Sequence, residues 1–223
     1  LKLLLNATHT HTAPEMEDGW YPHPGGDVMK PAEYVDVLVE RIGEAVIKAF
    51  NDRRPGGVSW ALGHAVIGHN RRVTYFGGRS QMYGKTDDPN FDCIEGYEDH
   101  AVGMLFTWNP ARRLSGLVLN LACPSQMVEG ENYISADFWH DVRAEIRRRH
   151  SFDLFVLPQC SAAGDQSPHL LLYERAEAET RRRRGVTERQ EAAERVAATV
   201  DHVLEATRND VRTDIPFRHR VEA

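Results

Sequence analysis

Two apolar runs, SGLVLNLAC at 115–123 and FDLFVLPQC at 152–160, stand on either side of the segment SADFWHDVRAEIRRRH at 135–150, and this order constrains the fold more than any other feature. Continuous apolar runs of this length suit buried strands. Between them Trp139, Val142 and Ile146 recur at helical spacing on an otherwise charged stretch, and Ser135 is placed to cap that helix. AVGMLFTW at 101–108 reaches the first run through NPARR, which reads as two antiparallel strands joined by a turn.

The same alternation extends in both directions. LKLLLNA at 1–7 predicts a buried strand feeding a long loop, in which Pro14, Pro22, Pro24, Gly25 and Gly26 prevent regular structure. From Pro31 a helix is predicted on Tyr34, Leu38, Ile42, Val46 and Phe50, ended by RRPGG. VSWALGHAVIG and RVTYFGG predict strands, residues 79–99 a polar loop, and residues 187–207 a last helix on Val196, Val200, Val203 and Leu204. Strands alternating with helices predict one α/β domain over residues 1–223, a mixed β-sheet flanked by helices. Both ends break off abruptly, which predicts a partial domain truncated at each end.

At 223 residues with 41% hydrophobic side chains the chain can bury a substantial core. No apolar run approaches the roughly 20 residues of a transmembrane helix. A net charge of −6 argues against binding nucleic acid through its phosphates, and RRRRG at 181–185 lies among mixed charges that read as a solvated face. Three irregularly spaced cysteines do not form a disulfide framework.

Four stretches carry candidate chemistry, each at a predicted strand end, where α/β proteins assemble their sites. In NATHTHTAP, His9 and His11 lie two apart in extended chain and face one side, an arrangement for metal ligation or proton transfer, with Thr8, Thr10 and Thr12 available to fix a tautomer. Two exposed loop histidines are the plainer alternative. GHAVIGHNRR offers His64, His69, Asn70, Arg71 and Arg72, where an arginine is suited to clamp a carboxylate or steady an oxyanion and either histidine is equally a structural one. In NLACPSQ, Cys123 is either a reactive thiolate at a strand end or an inert buried thiol. AAGDQSPH presents Ser167 as nucleophile or hydrogen-bond donor, although it lacks the G-x-S-x-G elbow.

Together these stretches resemble the neutral ceramidases and the ceramidase-like bacterial proteins. THTHTAP is similar to that family's THTHSGP, HNRR to its NR loop, and GDQSPH to its GDVSPN, in the same order. The resemblance implies a zinc-dependent hydrolase that cleaves the amide bond of a ceramide-like N-acyl lipid to a fatty acid and a sphingoid base. It makes His9 the first zinc ligand, His11 the histidine beside the substrate, Arg71 the arginine of the NR loop, and Ser167 the nucleophile or donor. Cys123 falls where the family has its second zinc-ligand histidine, and the remaining Zn2+ ligands, a glutamate and a tyrosine, are expected outside this chain. The implied partner is a small-molecule or lipid substrate, and the implied setting is bacterial, secreted or periplasmic. A hydrolase of another amide or acyl bond, or a non-catalytic binding module with a degenerate metal site, are the alternatives.

Overall fold

The computed structural model describes residues 3–216, 218 and 220. In chain order the elements are α1 (Pro31–Asn51), β1 (Gly57–His64), β2 (His69–Asn70), β3 (Arg72–Tyr75), β4 (Arg79–Met82), β5 (Phe91–Ile94), β6 (Ala101–Trp108), β7 (Leu114–Leu121), α2 (Phe138–Arg149), β8 (Phe155–Cys160), β9 (Gln166–Ser167), α3 (Glu174–Arg184) and α4 (Glu188–Asn209). This is the α/β domain with mixed sheet that the alternation predicts.

Four strands form the main sheet in the order β1-β6-β7-β8. β1 pairs antiparallel with β6 and β6 with β7, whereas β7 and β8 run parallel, joined by α2. The parallel pair needs that crossover because a tight turn can connect only antiparallel strands. One sheet face carries Val102, Met104, Phe106, Trp108, Leu117, Leu119, Leu121 and Val156, all buried against Phe138, Trp139, Val142 and Ile146 of α2 and Val196, Ala197, Val200 and Leu204 of α4. Buried within this layer, Trp108 Nε1 donates to Ser59 Oγ at 2.8 Å, which satisfies an indole that would otherwise be costly to desolvate.

Several sequence expectations change. Residues 3–7 form no strand, and Leu4 and Leu5 are 75% and 68% exposed. Instead of joining a ladder, the segment is tied by one side chain: Asn6 Nδ2 donates to the Cys160 carbonyl and Asn6 Oδ1 accepts from the Cys160 N–H. The predicted polar loop at 79–99 contains β4 and β5, which pair with β3 in a small antiparallel sheet. Both are four-residue strands with no buried position, too short and too exposed for an apolar pattern to reveal them. α1 forms where predicted but none of its residues is buried. The start of α2 is capped by Asp137, whose carboxylate accepts from Phe138 N–H at 2.7 Å, while Ser135 Oγ accepts from the Asp137 N–H one step earlier.

The second sheet face is uncovered. Trp60, Leu62, Leu105, Phe155 and Leu157 alternate with the core residues along their strands and remain exposed. The two faces therefore respond differently to truncation. Phe106→Ala is expected to cost about 3–5 kcal/mol of unfolding free energy, and Phe155→Ala to stay within about 0.5 kcal/mol of the parent, as read from urea denaturation midpoints.

Candidate functional site

The sheet topology sends the ends of β1, β7 and β8 and the start of β6 to one edge. The loops leaving that edge hold the predicted site residues. Gly68 marks how closely they pack, because a Cβ there would lie 2.4 Å from the Ala122 carbonyl oxygen.

The THTHT stretch lies on the loop that follows β7. Thr8 offers its carbonyl to both the N–H and the hydroxyl of Ser125. The hydroxyls of Thr10 and Thr12 each donate to the Ser135 carbonyl at 3.1 Å, and the Ser135 N–H returns to the Thr12 carbonyl at 2.9 Å. The threonines thus anchor backbone, and do not hold imidazole tautomers as the sequence suggested. The histidines between them come together, with ring centroids 5.1 Å apart, and His9 adopts a left-handed φ of 59° to do so.

Glu129 is the centre of the cluster. Its carboxylate meets His11 Nδ1 at 2.8 Å with one oxygen and His169 Nε2 at 2.9 Å with the other. Gln126 Nε2 donates to Glu129 at 3.0 Å and lies 3.2 Å from His11 Nε2. The loop that carries Gln126 and Glu129 is fixed to α2 by the buried Asp137, whose Oδ2 accepts from Val128 N–H at 2.9 Å. A carboxylate held between two imidazoles orients both rings and steadies either one when it takes up a proton.

Arg71 joins two loops far apart in sequence. Its guanidinium donates to the Gly164 carbonyl at 2.8 and 3.2 Å and to the Tyr83 hydroxyl at 3.1 Å, and its N–H donates to the Asp165 carbonyl. Tyr83 in turn donates to Ser167 Oγ at 3.1 Å, and that oxygen also accepts the His169 N–H. Ser167 is fully buried and serves here as a strut, without the exposed hydroxyl that attack on a carbonyl requires. Arg71 likewise turns three of its five guanidinium N–H donors to the protein.

The structure therefore brings His9, His11, Arg71 and Ser167 to one edge, with Glu129, His169, Tyr83 and Gln126 completing the cluster. His169 sits inside the quoted GDQSPH stretch and was within reach of the sequence. Glu129 stands in QMVEGEN, which carries no recognisable pattern.

Charge and burial act most clearly on His9, whose pKa lies below the ordinary 6.5 through desolvation first, then the positive fields of His11 and Arg71, with Glu129 opposing them. A neutral His9 offers a lone pair, as a metal ligand must. Cys123 does not fit the metal reading. Its side chain belongs to the apolar core, its thiol lies 3.4 Å from the Pro124 carbonyl, and burial pushes its pKa well above the ordinary thiol range, whereas a ligand must be a thiolate. Among the described residues the one group of three or more histidine, cysteine or acidic side chains whose ligand atoms converge is His69, Glu98 and His100. It contains neither His9 nor Cys123.

No protein-family model matches the chain, and no curated protein matches it. Solved structures do. A neutral ceramidase from Pseudomonas aeruginosa superposes with a TM-score of 0.57 at 15% identity, over 79% of this chain and 27% of that one. A ceramidase complexed with C2 gives 0.56 at 14% identity, over 79% and 26%. The chain thus has a ceramidase-like fold and spans about a quarter of the length of these proteins.

Two measurements check the site. In a proton NMR titration of the metal-free protein, His9 is expected to have its midpoint below 6.5, rising in Arg71→Gln and falling further in Glu129→Gln. The sign for stability follows: below pH 6.5 the unfolded chain binds a proton that folded His9 refuses, so the contribution of His9 is lost as pH falls from 6.5 through its folded pKa. With an aromatic disulfide reagent, the exposed Cys93 is expected to react first, Cys160 more slowly, and Cys123 only at the rate of unfolding.

Proposed function

We propose that this chain contributes the amino-terminal half of the active site of a ceramidase-like hydrolase that cleaves the amide bond of an N-acyl lipid. The observation that supports it is the convergence of the THTHT, HNRR and GDQSP stretches at one sheet edge, around a carboxylate that bridges two histidines. On this reading His11, oriented by Glu129, moves protons between the attacking water and the leaving amine, and His169 shares the same carboxylate. Arg71 positions the loop that carries Ser167 and adds positive potential where the oxyanion would develop. Zinc dependence belongs to the same proposal. His9 fits as a ligand and Cys123 does not, so no step here is assigned to the ion.

The burial of Cys123 also favours a second reading, a ceramidase-like binding module whose metal site has been lost. Turnover and binding separate the two. The purified protein is incubated with short- and long-chain fluorescent N-acylsphingosines and with a simple N-acyl amide, and released fatty acid is measured. Hydrolysis that falls about 10²–10⁴-fold in His11→Ala is the expected result. Absence of turnover, with N-acyl lipid bound equally well by the parent and His11→Ala, would leave the binding module.

A further inference from the structure

The loops at this sheet edge hold a second cluster, which shares no residue with the site around Glu129. His69 lies on β2, while Glu98 and His100 lie two apart in the segment that leads into β6. Glu98 Oε1 is 3.1 Å from His69 Nδ1 and Glu98 Oε2 is 2.9 Å from His100 Nε2, and the ligand atoms of all three residues lie within 4.8 Å of one another.

We propose that His69, Glu98 and His100 form a binding site for a divalent transition-metal ion of the zinc class. The chemistry of the donors supports this. Two imidazole nitrogens and one carboxylate oxygen suit zinc, cobalt or nickel, whereas calcium and magnesium select sets made of oxygen. The geometry agrees as well. Zinc binds nitrogen and oxygen at about 2.0–2.2 Å, so donors around a tetrahedral ion lie roughly 3.3 Å apart. Each imidazole nitrogen already lies near that distance from one oxygen of Glu98, His69 from Oε1 and His100 from Oε2, and an ion between them draws the three ligand atoms, now within 4.8 Å of one another, closer together.

The backbone beneath the cluster is held in place. The Asp99 N–H reaches Gln166 Oε1, the Ala101 N–H reaches Asp99 Oδ1, and the His100 carbonyl accepts the Ala65 N–H at 2.9 Å. His69 and Glu98 both line a cavity of about 1120 Å³, bordered also by Leu170, Leu171 and Arg195. Three protein ligands leave a fourth position open, and two of the three border that cavity, so a small anionic or carbonyl ligand is the class it would admit.

The test uses the metal-free chain titrated with Co²⁺, read by visible absorption, and with Zn²⁺, read by calorimetry. His69→Gln, Glu98→Gln and His9→Ala are compared, with circular dichroism confirming that each is folded. The expected result is a stoichiometric site that persists in His9→Ala, whatever that change does to an ion held beside His9 itself. Binding there should weaken in both His69→Gln and Glu98→Gln by at least the 10–100-fold that outer-shell partners alone are worth. Failure of the parent to bind either ion, binding indifferent to Glu98→Gln, or binding lost only in His9→Ala would overturn the proposal. None of these outcomes depends on whether an N-acyl lipid is hydrolysed.

Discussion

The parallel pairing of β7 with β8 is the constraint on which the rest of the molecule depends. Because Gly116 to Leu121 run in step with Phe155 to Cys160, both strands release their chains at one edge, and both following loops must begin side by side. α2 makes that pairing possible and supplies the buried residues that hold it, from Phe138 to Ile146. The antiparallel partners bring the end of β1 and the start of β6 to the same edge. A cluster drawn from residues as distant in sequence as 9 and 169 is then a result of topology, with only short polar contacts needed to finish it.

Those contacts have a consistent division of labour. Hydroxyls of Thr10, Thr12 and Ser125 and the amides of Ser125 and Ser135 bind backbone carbonyls, and so fix where the loops run. Charged groups then set the chemistry: Glu129 orders two rings, and Arg71 draws the Gly164 loop against the strand beside it. Cys123, where the resemblance in sequence leads one to expect a second histidine ligand, lies on the apolar side of this boundary. It packs with the core in the way a small hydrophobic residue would.

Much of this was legible in the sequence, for definable reasons. Runs such as AVGMLFTW and the Trp139, Val142, Ile146 stripe report burial, and burial dominates the energetics of β6, β7, β8, α2 and α4. Where burial fails as a signal, so did the expectation. Leu3 to Leu5 are apolar yet unpaired, whereas Arg79–Met82 and Phe91–Ile94 are strands without a buried residue. The sequence singled out His9, His11, Arg71 and Ser167, which the fold brings to one edge, but what each touches depends on neighbours that only the fold supplies. Ser167 is buried beneath Tyr83, and Glu129 matters because two histidines happen to reach it. His69 stood out as a histidine at a strand end, but its relation to Glu98 and His100 is a matter of three dimensions.

The bare sheet face has a practical side. Trp60, Leu62, Leu105, Phe155 and Leu157 form a flat apolar surface, and the unburied stripe of α1 adds Ile42, Val46, Ile47 and Phe50. Apolar surface of this kind drives self-association as concentration rises. The colloidal behaviour of the purified chain will therefore follow this apolar surface, and mild detergent or charged replacements on it are the levers for keeping it dispersed.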